Sequence, residues 1–344
     1  MQSYKSLINR FKSKRLLVLG DLILDQYIKG SVSRISPEAP VPILVQEESF
    51  YTPGGSANVA NNLRSLGAQV TVVGKIGDDL EGDLLKKELK KRDIDTNGIF
   101  TDSRIHTILK TRIIAHHQQV VRVDREKVMD FGDDNFKQKK IWPFIEKNFH
   151  RFDGVIISDY GKGMVEPTMV SRICYSANKK GIPITVDPKV ENFKVYGHVS
   201  TITPNKKETE NALKNIPEET RLNLGIHSTK LDSKENIEHS GMGLLHYLGI
   251  PSLLITMGEH GMYLFEQNKK PFPIATKARE VFDVSGAGDT VISVFTLSLA
   301  AGASKREAAD IANYAAGVVV AKMGAVAVTI PELLEAIRSH NRKL

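Results

Sequence analysis

Short apolar runs that close in glycine or polar residues recur along the chain, and helical spacing fills most of the gaps between them. "RLLVLG" (15–20), "QVTVVGKIG" (69–77), "GVIISDYGKG" (154–163), "PITVDPK" (183–189), "VSTITPNKKE" (199–208) and "SLLITMGEHG" (252–261) each read as a buried strand. "SANVANNLRSLG" (56–67) and the charged "DDLEGDLLKKELKKRD" (78–93) read as amphipathic helices. This β-α alternation predicts an α/β fold with a mostly parallel central sheet covered by helices on both faces, a three-layer α/β/α sandwich. Two segments break the rhythm. "YIKGSVSRISPEAPVPILVQEESFYTPGG" (27–55) and "GIFTDSRIHTILKTRIIAHHQQVVRVDRE" (98–126) alternate apolar and polar residues with no helix between them. They predict a small lid of antiparallel strands, within about 26–52 and 99–125, able to close over a ligand or pair with a second subunit. No linker interrupts the pattern, so residues 1–344 are expected to form one domain.

Composition narrows the classes. The 344 residues are 41% hydrophobic and 25% charged, with a formal net charge of +7. The cations are dispersed, and the one dense run, "KSKR" (12–15), leads into a strand, so a nucleic-acid partner is not expected. Neither an apolar run of membrane length nor a leader pattern is visible, and Leu7, Ile8 and Phe11 suggest a short N-terminal helix docked on the body. The single cysteine, Cys174, excludes an internal disulfide framework, lies in a helical pattern as a packing residue, and fits a cytoplasmic protein.

Several strings look like motifs and lack their context. "DFG" (130–132) has no accompanying glycine-rich loop or catalytic loop, and no Walker sequence occurs. His116 and His117 are adjacent on an expected strand and would point to opposite faces, against a shared metal.

Three stretches carry chemistry. Gly54 and Gly55 precede a helix and allow close backbone approach, while Asn58 offers a donor and an acceptor to hydroxyls. Asp21 and Asp25, at the end of the first strand, suit hydroxyl recognition, although turn acids look the same in sequence. In "FDVSGAGDTVISVFTLSLAAGA" (282–303), Gly286, Ala287 and Gly288 open an apolar helix whose first amides lack intrahelical partners and favour negative charge. Those amides suit a phosphoryl group in transfer, and Asp289 beside them suits a base that takes a proton from an attacking hydroxyl.

Together, "GGSANVANNLRSLG" and "DVSGAGDTVISVF" resemble the two signatures of the ribokinase-like (PfkB) sugar kinases, and the likeness runs from about Leu16 to Ile330. The resemblance implies the ribokinase-like fold, ATP and Mg²⁺ as cofactors, Asp289 as catalytic base and the Gly286, Ala287 and Gly288 amides as anion hole. It implies sugar contacts at Asp21, Asp25, Gly54, Gly55 and Asn58, and a role near Mg²⁺ and its waters for Asn205 and Glu208 of "TPNKKE". Thr256, Gly258 and Gly261 resemble the nucleotide-phosphate loop, Asn313 lies where the adenine pocket closes, and Asp283 and Ser285 match positions that hold a monovalent cation, such as K⁺, in many members. Within the family, "SRISPEAPVP" and "QQVVRVDRE" are similar to the members that phosphorylate D-glycero-D-manno-heptose 7-phosphate at C1, giving the 1,7-bisphosphate on the route to ADP-heptose and lipopolysaccharide core. A sugar phosphate calls for cations, for which Arg34, Arg122, Lys162 and Lys189 are candidates. The same resemblance implies a homodimer joined through the lid and, because the chain stops soon after the second signature, a stand-alone kinase with no nucleotidyltransferase domain. The alternatives are another kinase of the family, acting on ribose, fructose phosphate, a nucleoside or an unphosphorylated sugar, and a non-catalytic sugar-phosphate sensor.

Overall fold

The computed structural model describes residues 2–116, 118–126, 136–278, 280–322 and 324–341. The "DFG" string and His117 lie outside them.

Among the described residues, thirteen strands fall into two sheets. In chain order they are β1 (Arg15–Gly20), β2 (Leu22–Ile35), β3 (Pro42–Gly55), β4 (Gln69–Ile76), β5 (Asp95–Thr101), β6 (Ile108–Ala115), β7 (Gln118–Arg125), β8 (Gly154–Ser158), β9 (Ile184–Asp187), β10 (Thr201–Ile202), β11 (Ser252–Thr256), β12 (Met262–Glu266) and β13 (Phe272–Ile274). The large sheet runs β13-β12-β11-β10-β9-β8-β1-β4-β5. It is parallel from β11 to β5, with β12 and β13 added antiparallel at one edge. Alternate residues of the same strand enter two different cores: Leu16 and Val18 of β1 face one, Leu17 and Leu19 the other. A strand covered on both faces has no polar side to show, which is why the sequence reads as continuous apolar runs. The first core takes the helices Ser56–Ser65, Ala287–Ala300 and Lys305–Val319, and the N-terminal Leu7, Ile8 and Phe11 are buried in it. The second takes Pro167–Lys180 and Lys234–Leu248, and here Cys174 is buried and its thiol pushed up to about 12 by desolvation.

The small sheet runs β3-β2-β6-β7. It departs from the sequence expectation in two ways. Its outer pairs are antiparallel, but β2 and β6 in the middle are parallel, because both climb away from the same, carboxyl-terminal end of the large sheet. Segment 99–125 also divides: Ile99–Thr101 belongs to β5 at the edge of the large sheet, and the lid takes up the chain only at Ile108. At the other boundary the lid begins at Leu22, directly after β1. His116 sits in the tight β6–β7 turn at φ 46° rather than on a strand.

Candidate active site

Two helices that start at glycines meet beneath the lid. β3 runs directly into the Ser56–Ser65 helix through Gly54 and Gly55, which pair with Ile23 and Leu22 of β2. These glycines are therefore not a free turn but the root of the lid. A Cβ on Gly54 would stand 2.6 Å from an Asp25 carboxylate oxygen, and Gly55 has φ +55°. The second helix, Ala287–Ala300, is capped by Gly286 at φ 77°, a conformation that costs glycine little. Polar groups lock the two helices in register. Asn62 Nδ2 donates to the Asn58 carbonyl, Thr290 Oγ1 donates to Asn62 Oδ1 at 2.9 Å, and Ser293 Oγ donates to the carbonyls of Asp289 and Val59. Asn58 and Asn62, four apart on one helix face, thus meet Asp289 and Thr290 of the other helix, and Ser293 meets the Val59 carbonyl between them.

That lock fixes Asp289. Its Oδ2 accepts from Asn58 Nδ2 at 2.7 Å and its Oδ1 from the Tyr160 hydroxyl at 2.9 Å. Burial raises its carboxyl to about 6 against the lowering effect of those two donors, and the Asp25 charge adds to the rise. A carboxylate poised there can be ionised near neutral pH and still take up a proton. Asn58 Oδ1, by contrast, is buried with no hydrogen-bond partner. An unpaired buried acceptor is costly, and a ligand hydroxyl would satisfy it. Of the amides at this helix start, that of Ala287 donates to the Val284 carbonyl at 3.2 Å, while an added Cβ on Gly288 would meet only open space.

Asp21 stands apart from the other acids. Its Oδ2 accepts from the backbone amides of Tyr160 and Lys162, and its Oδ1 from that of Met164, each at 3.0 Å. This carboxylate pins the 160–164 loop beneath the lid, so its oxygens are occupied by the chain's own amides. Asp25 instead accepts from Arg112 Nη1 at 2.6 Å, a nearly buried pair roofed by the Tyr27 ring.

On the other side of Gly288 opens a cavity of about 580 Å³. Thr256, Gly258, Gly261 and Asn313 all line it, together with Ala287 and Gly288 of the Asp289 helix and the exposed Val281 and Val284. Its mostly apolar wall with a few polar groups suits a purine and its phosphates. Asn313 is buried and donates from Nδ2 to the Ala275 carbonyl at 2.6 Å, holding the wall of the cavity. Asn205 and Glu208 form a reciprocal capping box: Asn205 Oδ1 accepts from the Glu208 amide at 2.9 Å, and Glu208 Oε2 from the Asn205 amide at 2.8 Å. An isolated parallel bridge joins Asn205 to Thr256. Burial raises the Glu208 carboxyl. Asp187, at the end of β9, is pushed well up by burial and by the neighbouring charges of Asp289, Glu208 and Asp159. Burial also works on Asp283, but the amide of Ser285, which donates to it at 2.8 Å, and that of Gly324 outweigh it and hold the carboxyl low.

The candidate cations separate. Lys162 reaches Glu126 at 2.7 Å and Arg122 pairs with Asp124, both along the lid face that carries Asp25. Lys189 lies against Gly161 and lowers Glu208 through its charge. Arg34 is exposed nine residues beyond Asp25 on β2, on the order of 30 Å along the strand, and the structure does not bring it to Asp289 within this chain. The sequence reading missed Tyr160, Arg112 and Asp187. Tyr160 and Asp187 follow directly on, or end, strands of the parallel sheet, a position that could have flagged them; Arg112 looked like any polar position of an alternating strand. A separate concavity of about 400 Å³, lined by Lys12, Arg15, Arg64 and Arg151 among others, lies at the amino ends of β1 and β4, away from these residues.

The profile of the pfkB family of carbohydrate kinases matches residues 13–333. "Bifunctional protein HldE" of Desulfatibacillum aliphaticivorans is 40% identical over 326 residues, 95% of this chain and 63% of that protein. The protein of the same name from Helicobacter pylori (strain J99) is 42% identical over 331 residues, 96% of this chain and 68% of its own length. The chain thus spans about two thirds of these relatives. Among solved structures, phosphofructokinase-2 from Escherichia coli, in complex with substrates and products, superposes with a TM-score of 0.73 over 96% of this chain and 99% of that one, at 18% identity. Its fold is thus that of the ribokinase-like structures, and the chain is a pfkB family carbohydrate kinase, a sugar phosphotransferase that uses ATP.

Proposed function

We propose that the protein transfers the γ-phosphoryl group of ATP to the C1 hydroxyl of D-glycero-D-manno-heptose 7-phosphate. The observation that carries the chemistry is the buried Asp289 carboxylate, held by Asn58 and Tyr160 and next in sequence to Gly288, which lines the 580 Å³ cavity. Asp289 takes the C1 proton as the hydroxyl attacks, and Asn58 Oδ1 accepts from a sugar hydroxyl. The helix start at Gly286–Gly288 meets the transferring phosphoryl group, with the amides of Gly286 and Gly288 the main donors, since that of Ala287 is shared with Val284. Asp25 and the lid root at Gly54 and Gly55 orient the sugar, and Asn313 shapes the adenine end of the nucleotide cavity.

Among the described residues no cluster of three acids, histidines or cysteines forms a metal cage. That fits Mg²⁺, which keeps water and phosphate oxygens in its shell and takes one or two carboxylates. Glu208, Asn205 and Asp187 would hold it, and the ion would neutralise charge on the phosphates. Asp283 and Ser285 are proposed as part of a K⁺ site on the strength of the family resemblance alone.

The choice of sugar rests on "SRISPEAPVP" and "QQVVRVDRE", and on the contrast between relatives near 40% identity that share one name and a phosphofructokinase at 18%. The test is mass spectrometry of products from ATP, Mg²⁺ and a panel of heptose 7-phosphate, ribose and fructose 6-phosphate. A bisphosphate product from the heptose is expected. Activity on ribose with none on the heptose phosphate would reverse the choice, and no transfer to any sugar would leave a sensor.

The lid is proposed as a homodimer surface. Val121 and Val123 are 45% and 54% exposed on its outer strand, and among the described residues no further strand pairs with either of its edges, β3 and β7. Light scattering is expected to give twice the chain mass, and Val121→Lys together with Val123→Lys to give the monomer.

A further inference from the structure

The lid carries an unusual charge arrangement on the face turned toward Asp289. Arg112 of β6 stands directly opposite Arg122 of β7, a like-charge pairing that is unfavourable in an antiparallel ladder. Lys110, two residues along on the same face, stands opposite Asp25 on one side and Asp124 on the other. Each cation leans on an acid: Arg112 on Asp25 at 2.6 Å, Arg122 on Asp124 at 2.8 Å, Lys110 on Glu126 at 3.3 Å and Asp124 at 3.5 Å, and Lys162 on Glu126 at 2.7 Å. The acids they pair with number three and the cations four, and the carboxylate of Asp283 acts on Arg112 through its charge as well. One of the acids, Asp25, lies close enough to Asp289 and Tyr160 for its charge to act on both. Its carboxylate is thus tied to a guanidinium at the place where a sugar would need it.

We infer that Arg112, Arg122 and Lys110 form a phosphate-monoester subsite whose filling releases Asp25 to the sugar. A phosphate dianion between the two guanidinium groups offers bidentate acceptors to both and removes their repulsion. Arg112 then turns from Asp25 to the phosphate, and the freed carboxylate accepts sugar hydroxyls. An unphosphorylated sugar brings nothing to compete with the 2.6 Å pair and must break it unaided. Selection for a phosphorylated substrate therefore comes from a resident ion pair that only an anion displaces, in addition to direct attraction. This inference rests on the proposed sugar-phosphate kinase activity and adds how the substrate's own charge switches the site.

The test compares heptose 7-phosphate with the same heptose lacking the phosphate, in the wild type, Arg112→Gln and Arg122→Gln. The expected wild-type preference in kcat/KM is about 100-fold or more for the phosphorylated sugar, falling to within about threefold in Arg112→Gln and roughly tenfold lower in Arg122→Gln. Inorganic phosphate added in trans is expected to speed turnover of the unphosphorylated heptose several-fold in the wild type and to have no effect in Arg112→Gln. ATP affinity measured by calorimetry reports whether Arg112→Gln is folded, and the half-exposed Arg122 supplies a variant whose folding is not at stake. An unchanged preference in both variants, with heptose 7-phosphate turned over normally, overturns the subsite and leaves the proposed function standing. Failure of heptose 7-phosphate as a substrate, with a preference for another sugar phosphate that Arg112→Gln abolishes, overturns the heptose and supports the subsite.

Discussion

Asp21 and Asp289 sit at the ends of two different elements, both buried, both with carboxyls raised to about 6. Their partners differ in kind. Three backbone amides converge on Asp21. Asp289 is met by two side chains, the Asn58 amide and the Tyr160 hydroxyl. Backbone amides cannot turn to become acceptors; a carboxamide can flip and a hydroxyl can rotate. One acid is therefore fixed as an anchor, while the other can gain and lose a proton with its partners adjusting. A shifted pKa alone does not separate the two roles.

The same neutralising change at each acid should break this comparison open. Asp289→Asn is expected to lower kcat by about 10³-fold or more, with ATP affinity and the fold retained, because Asn58 can present its unpaired Oδ1 to the new amide. A fall of less than tenfold would remove Asp289 from the chemistry. Asp21→Asn should instead act on the fold. Its new NH₂ would face either the Met164 donor or the donors from Tyr160 and Lys162, at a cost of about 2–4 kcal/mol by urea unfolding. An Asp21→Asn protein as stable as the wild type, with turnover lost, would move Asp21 from anchor to ligand.

The pH dependence follows from the same pair. Asp289 must be ionised to accept a proton, so kcat/KM should rise through about pH 6 and level above it. Stability runs the other way. A carboxyl whose folded value is raised above its unfolded one stabilises the fold fully below the unfolded value and loses that contribution as pH rises through about 6. Tyr160→Phe removes one donor that lowers the Asp289 carboxyl. The midpoint of the kcat/KM profile should then move to higher pH, with a loss of roughly tenfold at pH 6.5 and less at pH 8. An unmoved midpoint would mean that another group sets the profile.

Much of this arrangement was legible in the sequence, and the reason is physical. A parallel strand buried on both faces must be a continuous apolar run, and the polar residues that follow it mark the functional end of the sheet. Hence Asp21, Asn205 and Thr256 could be placed before the fold was known. Arg112 could not, because "ILKTRIIA" shows the same alternation whether its polar face meets solvent or a buried acid across the ladder. Nor could the β2–β6 parallel pairing, since local pattern carries no strand direction. The roles of Asp21 and Asp25 were also indistinguishable: only the loop at Tyr160–Met164, some 140 residues later in the chain, decides which acid is occupied.

The smallest expected effect concerns a pair whose local role, like that of Asp21, is complete without any ligand. Asn205 and Glu208 satisfy each other's helix-start amides, so "NKKE" is a capping box whatever else it does. Asn205→Ala should cost about 1 kcal/mol of stability. Asn205→Asp keeps an acceptor for the Glu208 amide and should restore most of that stability, while setting a second negative charge beside a Glu208 carboxyl that burial already raises. If the pair serves only the helix, the Mg²⁺ concentration giving half-maximal rate will be the same in wild type and both variants. If it also holds the ion, Asn205→Ala will raise that concentration several-fold and Asn205→Asp will lower it below the wild-type value, which helix capping cannot produce because Asp caps no better than Asn.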